Sequence, residues 1–343
     1  MLELAQEALR GEEAWLVGGA VRDELLGREL LDLDIAVRDP RAAARAFAKR
    51  SGGVPFTLSE QHGAWRVTLA DGRTVDFTPL PGSIADDLAK RDFTINAIAR
   101  PLDGGEAVDP YDGRADLKAR RLRAVDQSVF RDDPLRLLRA VRLEDELGLR
   151  LDPQAEALVR ENAPLVTRPA GERVLAELRR LSAGGYRRLD ALGLLEPLGG
   201  RIDDRLDRWD SPDFRLVAVF GDGLRRLPVS NELQRFASAL LRAESPEHDA
   251  RSIHRFRRST EPWALEALAF AGASNLAPAI EEARAQEPAQ PLLRGDELDL
   301  PPGPEIGRLL AEIEEERAAG TIATREEALA YARRHAGAVR EDG

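Results

Sequence analysis

The sequence contains no cysteine, which excludes disulfides and thiolate metal sites. Its four histidines, His62, His248, His254 and His335, include no pair at zinc-ligand spacing. Lysine is confined to Lys49, Lys90 and Lys118, so arginine carries nearly all the positive charge. No apolar run approaches the roughly 20 residues needed to cross a bilayer. Met1-Leu2-Glu3-Leu4 lacks the basic patch and apolar core of a signal peptide. These absences make the cytoplasm the expected location and leave no membrane partner. What is present is ordinary for a folded chain: 343 residues with 43% hydrophobic content, enough for two or more cores in series.

The net charge of −11 argues at first against a nucleic-acid partner. Charges act locally, however, over a Debye length of about 8–10 Å at physiological salt. Residues 251–258 hold four arginines and no acid, and residues 113–150 hold ten Lys/Arg against seven Asp/Glu. The acidic excess gathers elsewhere, notably in Glu312-Ile313-Glu314-Glu315-Glu316. Two readings stay open on charge alone, a locally basic path or scattered solvated arginines.

Strand and helix signals alternate over the first 110 or so residues. Ala14-Trp15-Leu16-Val17 is an apolar run ending in Gly18-Gly19, followed by a helical pattern to Leu26. Leu33-Asp34-Ile35-Ala36-Val37 reads as a strand and residues 41–49 as an Ala-rich helix. Residues 65–70 and 73–78 alternate like two strands joined at Asp71-Gly72, a hairpin signal. Strand signals fade after about Val108, and from Pro134 onward the text is helical, with a linker at residues 286–291. The expected fold is therefore α+β, a mixed-sheet head followed by an all-helical arm.

Asp32-Leu33-Asp34 carries the first chemistry. Alternation along a strand puts both carboxylates on one face, where a hard divalent cation, magnesium above all, is the expected occupant. Two such ions stabilise the attacking and leaving oxygens of an in-line phosphoryl displacement. Upstream, Gly18-Gly19-Ala20-Val21-Arg22-Asp23 stands where a strand opens into a helix. Glycines there let a phosphate approach backbone N–H groups, and Arg22 adds a charge-assisted contact. The plainer alternative is a tight turn with Arg22 paired to Asp23 or Asp34. The dinucleotide fingerprint GxGxxG is missing.

Together with Leu25-Leu26-Gly27-Arg28, these segments resemble the signature of the class II tRNA nucleotidyltransferase and bacterial poly(A) polymerase family. Further matches follow in the family's order. Arg91-Asp92-Phe93-Thr94-Ile95-Asn96 resembles its second motif, and Asp109-Pro110-Tyr111-Asp112-Gly113 with Asp116-Leu117 its third. Phe130-Arg131-Asp132-Asp133-Pro134-Leu135-Arg136 resembles the start of its nucleotide-selecting helix, and Glu172-Arg173-Val174 with Glu177-Leu178 the motif after it. The resemblance covers about residues 14–180, with a weaker match at residues 302–310. It implies a nucleotidyltransferase head of the polymerase β type over residues 1–120, a helical neck over 121–190, and an RNA-binding body and tail over 191–343. The implied reaction is attack of a tRNA 3′-hydroxyl on the α-phosphate of CTP or ATP, with pyrophosphate released. Asp32 and Asp34 would hold the metals, and Asp76, on a neighbouring strand, is a candidate third carboxylate. Gly19, Arg22 and Arg91 would contact the nucleotide, with Asp92 and Asn96 orienting the ribose or bracing the loop.

Asp133 followed by Pro134 is also a good helix start in its own right. Arg136, Arg139 and Arg142 recur at three-residue steps along one ridge. The resemblance implies that Asp133 and Arg136 address the base while Arg139 and Arg142 hold the nucleotide. Cytosine and adenine each set an amino donor beside a ring-nitrogen acceptor, which a carboxylate and a guanidinium complement. Uracil and guanine would face Asp133 acceptor to acceptor, a costly mismatch when buried.

Three departures from the family pattern matter. Asp132-Asp133 stands where the fourth motif usually begins Glu-Asp, and no His-Asp phosphohydrolase signature follows, so no phosphatase activity is expected. The segment before Arg91 is short: residues 79–83 alone separate the strand end from an expected helix at 84–90. Family members with a truncated loop here include enzymes that stop after CC and leave the final A to a partner enzyme. Full CCA addition and CC-only addition therefore both stand. The rival readings are poly(A) polymerase, a non-catalytic RNA-binding relative, and transfer to a small molecule or protein.

Overall fold

The computed structural model describes residues 1–336, and the chain divides between Gly199 and Gly200 into two compact units. The first unit opens with helix α1 (Leu2–Ala8), strand β1 (Ala14–Val17), helix α2 (Gly19–Leu25), strand β2 (Asp32–Val37) and helix α3 (Pro40–Ser51). Strands β3 (Val54–Ser59), β4 (Ala64–Thr68) and β5 (Thr74–Pro79) follow, then α4 (Ile84–Leu88) and β6 (Ala99–Pro101). The six strands form one sheet in the order β3-β4-β5-β2-β1-β6. Strands β2 and β5 pair in parallel, and the other neighbours are antiparallel.

Alternation along the strands decides which face is covered. Leu33, Ile35, Val67, Val75 and Phe77 are fully buried, and Phe47 of α3 packs on Phe77 with ring centroids 5.9 Å apart. Helix α3 starts one residue before the expected helix at 41–49: Asp39 accepts the Ala42 N–H at 3.0 Å and Pro40 occupies the first turn. The side chains of Asp32, Asp34 and Asp76 belong to the other face. Strand β3 adds to the elements expected from sequence. Pro55 breaks its strand signal, but an edge position accommodates a residue without an N–H.

Helices α5 (Gly113–Lys118), α6 (Val129–Asp132) and α7 (Leu135–Leu147) follow, with two-residue strand β7 (Arg121–Leu122) between the first two. Strand β7 pairs in parallel with β8 (Arg150–Leu151), a small sheet beyond the point where strand signals fade. Helices α8 (Pro153–Asn162), α9 (Gly171–Leu178) and α10 (Ala183–Ala191) complete the unit.

The second unit has no strand among its described residues. Its helices are α11 (Pro212–Phe220), α12 (Asn231–Leu241), α13 (Ala250–Thr260), α14 (Ala264–Ala271), α15 (Ala277–Ala285), α16 (Pro304–Ala318) and α17 (Arg325–His335). Leu293, Leu309, Ile313 and Ile322 anchor a core around α16 and α17. The arginine run at 251–258 and the acidic run at 312–316 turn out to be partners. Arg251 pairs with Glu316 at 2.8 Å, Arg255 with Glu315, and Arg257 with Glu261 and Glu287. Much of that run's charge is spent inside the unit.

Candidate active site

The turn from β1 into α2 sets the site's geometry. Gly18 has φ 67° and ψ −134°, a backbone state that residues with a Cβ rarely adopt. A Cβ there would lie 3.0 Å from Arg91 Nη1 and 3.4 Å from Asp34 Oδ2. The turn, the β2 carboxylate and the second-motif guanidinium therefore meet at one point. Gly19 is less constrained, since a Cβ would rest 3.4 Å from Arg22 Nη2.

Parallel pairing of β2 with β5 puts Asp34 directly beside Asp76 and Asp32 beside Thr74. Thr74 Oγ1 donates to Asp32 Oδ1 at 2.6 Å. Burial pushes the Asp34 carboxyl above its ordinary pKa; the Asp76 and Asp32 charges add to the rise, and Arg91 and Arg139 oppose it. An all-oxygen donor set whose negative charge is this disfavoured fits a hard divalent cation. Asp32 and Asp34 project from one face of β2. Asp76 is otherwise engaged: Arg66, opposite it on β4, donates to both of its oxygens at 2.7 Å. Among the described residues no three carboxylate or imidazole groups form a ready-made ligand set.

The second motif is braced from below by a polar chain. Arg22 donates to both oxygens of Asp23, at 3.0 and 2.9 Å, and to Asn96 Oδ1 at 2.7 Å. Asn96 Nδ2 donates to Asp92 Oδ1 at 3.0 Å, and Asp92 Oδ2 lies 2.9 Å from Arg139 Nε in an ion pair. Burial raises the Asp92 pKa, but Arg139, the Asn96 amide and the Phe93 N–H together hold it below its ordinary value. Fully buried Asp116, from the third motif, accepts from Thr94 Oγ1 at 2.6 Å, Arg121 Nε at 2.7 Å and Arg123 Nε at 3.0 Å. The third motif thus holds the second in place. Arg91 itself is aimed by α4, donating from Nε and Nη2 to Asp87 at 3.0 and 2.7 Å.

On the selecting helix the four residues singled out from sequence part company. Asp133 accepts the Leu135 N–H at 3.2 Å and pairs with Arg173 of α9 at 2.8 Å. The helix itself begins at Leu135 with Pro134 at the N-cap position and no side-chain cap, so Asp133 is not the N-cap that Asp-Pro suggests. Arg136 donates to the Lys90 carbonyl at 2.7 Å, beside Arg91. Arg139 reaches inward to Asp92 and acts electrostatically on Asp34. Arg142 goes elsewhere: its side chain is 7% exposed and paired with Glu177 at 2.5 Å and Glu146 at 2.8 Å. Arg66, Thr74 and Asp87 are the partners that sequence reasoning missed. The Asp71-Gly72 hairpin is the one signal that points to Arg66, since it brings β4 against β5.

The Poly A polymerase head domain family model matches residues 14–80 and 66–123. An A-adding tRNA nucleotidyltransferase of Deinococcus radiodurans is 36% identical, over 94% of this chain and 95% of its own. A CC-adding tRNA nucleotidyltransferase of Thermus thermophilus is 32% identical, over 93% of each chain. In fold, the chain is similar to the Thermotoga maritima CCA-adding enzyme complexed with tRNA, with a TM-score of 0.71 at 21% identity over 97% of this chain and 93% of that one.

Proposed function

Because the chain belongs to the class II tRNA nucleotidyltransferase family, we propose that it adds C and/or A residues, without a template, to the 3′ end of tRNA from CTP and ATP. It is an enzyme of the RNA nucleotidyltransferase type. The observation that carries the site assignment is the meeting of Gly18, Arg91 and Asp34. It sets a phosphate-binding turn against a cation-demanding carboxylate, as a triphosphate substrate requires. Asp32 and Asp34 hold the metal, magnesium being the expected ion. When bound it supplies neutralisation of charge on the attacking and leaving oxygens.

The remaining work falls to the chain's own groups. Backbone N–H groups after Gly18 and the Arg91 guanidinium bind the triphosphate. Arg22 and Arg139 act from behind, fixing Asn96 and Asp92 so that the second motif keeps its shape. Asp133 and Arg136 address the base edge, which requires the Asp133–Arg173 pair to open or turn aside. The RNA 3′-hydroxyl then attacks the α-phosphate and pyrophosphate leaves. A reaction on tRNA fed by nucleoside triphosphates suits the cytoplasm, and no described helix is long and apolar enough to cross a membrane.

A second reading, CC-only addition with a partner enzyme adding A, draws support from the connection between β5 and α4. Leu80 is 1% exposed, donates to the Val37 carbonyl at 2.7 Å and accepts from Arg38 at 3.0 Å. Ser83 and Asp86 then close a capping box at the start of α4. Little is left in this link that can move as a lever. Sequencing the products made on tRNA without its CCA end, with each NTP alone and together, tests both readings. A ladder of C, CC and CCA supports full addition, a stop at CC supports the second reading, and products absent both here and on tRNA already ending in CC, or unaffected by Asp34→Ala, would sink the assignment.

A further inference from the structure

The sheet face that carries Asp32 and Asp34 continues past the carboxylates to the sheet's edge. One row of paired positions runs Asp34, Asp76, Arg66 and Phe56, and the next runs Asp32, Thr74, Thr68 and Val54. Directly paired residues present their side chains on the same face, and α3 covers the opposite one. On edge strand β3, Val54 is 66% exposed, Phe56 43% and Leu58, beside the bulge, 42%. Half of the large hydrophobic residues found exposed in the described chain are these. An edge strand with apolar residues on its open side invites unwanted pairing unless something occupies it.

We propose that Phe56, flanked by Val54, is a stacking platform for the unpaired bases at the 3′ end of the RNA substrate. The proposal rests on the reading that this chain extends RNA. Three interstrand spacings of about 4.8 Å put Phe56 about 14 Å from Asp34 along the sheet, within reach of a short unpaired stretch whose terminal hydroxyl sits at the carboxylates. Arg66, between them, is fixed to Asp76 at both oxygens, so the row is a rigid spacer. An aromatic ring on a sheet surface stacks any base. That tolerance suits a substrate whose terminal base changes with each addition. Phe56 is thus a positioning residue for the RNA and does not touch the reacting atoms.

The test compares wild type, Phe56→Ala and Phe56→Tyr on an acceptor-stem RNA with an unpaired 3′ overhang and on a blunt version of the same stem. Binding is read by anisotropy of a 5′ label, and addition by steady-state kinetics. Phe56→Ala is expected to weaken overhang binding and raise KM for RNA about tenfold. It should leave KM for CTP, thermal stability and blunt-stem binding unchanged, with Phe56→Tyr restoring the loss. Equal overhang binding by wild type and Phe56→Ala overturns the platform. So does a loss confined to self-association in sedimentation, which would make β3 a contact between copies of the chain. If wild type adds no nucleotide while Phe56→Ala still loses overhang binding, the platform stands and the proposed reaction falls.

Discussion

Replacing Gly18 by alanine separates the site's geometry from its general stability. The backbone at Gly18, φ 67° and ψ −134°, costs a residue with a Cβ about 1–3 kcal/mol. For a unit spanning residues 1–199, each kcal/mol lowers Tm by roughly 2–4 °C. The new methyl would also sit 3.0 Å from Arg91 Nη1 and 3.4 Å from Asp34 Oδ2. Arg91 cannot swing away freely, because Asp87 holds its Nε and Nη2 at 3.0 and 2.7 Å. A displacement on the order of 1 Å at such a group lowers kcat/KM about 100-fold. Gly19→Ala is the internal control: its methyl meets the Arg22 guanidinium no closer than 3.4 Å, and its backbone is not in the left-handed region. Thermal melts and single-turnover CTP addition, run on both variants, give the comparison. A Gly18→Ala enzyme as fast and as stable as Gly19→Ala would refute the claim that this turn shapes the site.

Asp133→Ala removes the acceptor for the Leu135 N–H and the partner of Arg173, a partly exposed pair worth about 1 kcal/mol or less. UTP and GTP incorporation should rise relative to CTP incorporation; unchanged exclusion of both would leave Asp133 an ion-pair partner and turn acceptor only. Arg142→Met takes from Glu177 its buried partner, while Glu146 keeps Arg180. Urea unfolding should show a loss of about 3–5 kcal/mol, whereas a stable variant with a raised KM for nucleotide would return Arg142 to the binding machinery. Glu316, held by Arg251 and then Thr321, has its pKa lowered to about 2 from 4.5. Its contribution is complete above the ordinary pKa and lost as pH falls toward 2. The pair is partly exposed, so screening leaves about 1 kcal/mol. Glu316→Gln should flatten that acid limb in a pH series of melts, and an unchanged limb would place the acid sensitivity elsewhere.

Local signals were legible where the residues that make an element lie next to one another. The Ala-rich run at 41–49 announces α3, Asp71-Gly72 announces a hairpin, and the run after Asp133-Pro134 announces α7. The hairpin shows where legibility stops. An Asp-Gly pair marks the turn but does not fix the loop length. Here Leu69 N–H bonds the Arg73 carbonyl at 2.9 Å, Gly72 takes a φ of 85°, and the strands pair Arg66 with Asp76. A slip of one residue would have sent Arg66 to the other face, so its hold on Asp76 could not be read from the spacing. The chain from Arg22 through Asn96 and Asp92 to Arg139 joins segments 74 residues apart at its first long step. Each member is a plausible lone surface or structural residue until the fold brings them together. Charge was the weakest guide: the runs at 251–258 and 312–316 differ in sign because they face each other across α13 and α16.

That internal pairing bears on how an acidic protein handles anionic substrates. Of its arginines, Arg22 is bound to Asp23, Arg91 to Asp87, Arg66 to Asp76 and Arg142 to two glutamates. The charge of these four is offset at contact distance, so they draw a triphosphate only weakly from beyond the Debye length. The site instead holds an imbalance at close range. Asp34 is kept above its ordinary pKa by burial despite the opposing charge of Arg91 and Arg139, so the fold carries a carboxylate it does not itself neutralise. Such local conflict between a side chain and its surroundings is costly for folding and is retained where function needs it. A cation held by Asp32 and Asp34, as proposed, would bring positive charge beside the Gly18 turn, where Asp34 Oδ2 lies close to the backbone. Arg91, whose Nη1 is the atom nearest that turn, is held through its other two nitrogens by Asp87 and so presents its Nη1 group at a fixed angle. Recognition built this way depends on position more than on field strength, which is why a chain with a net charge of −11 is compatible with two polyanionic substrates.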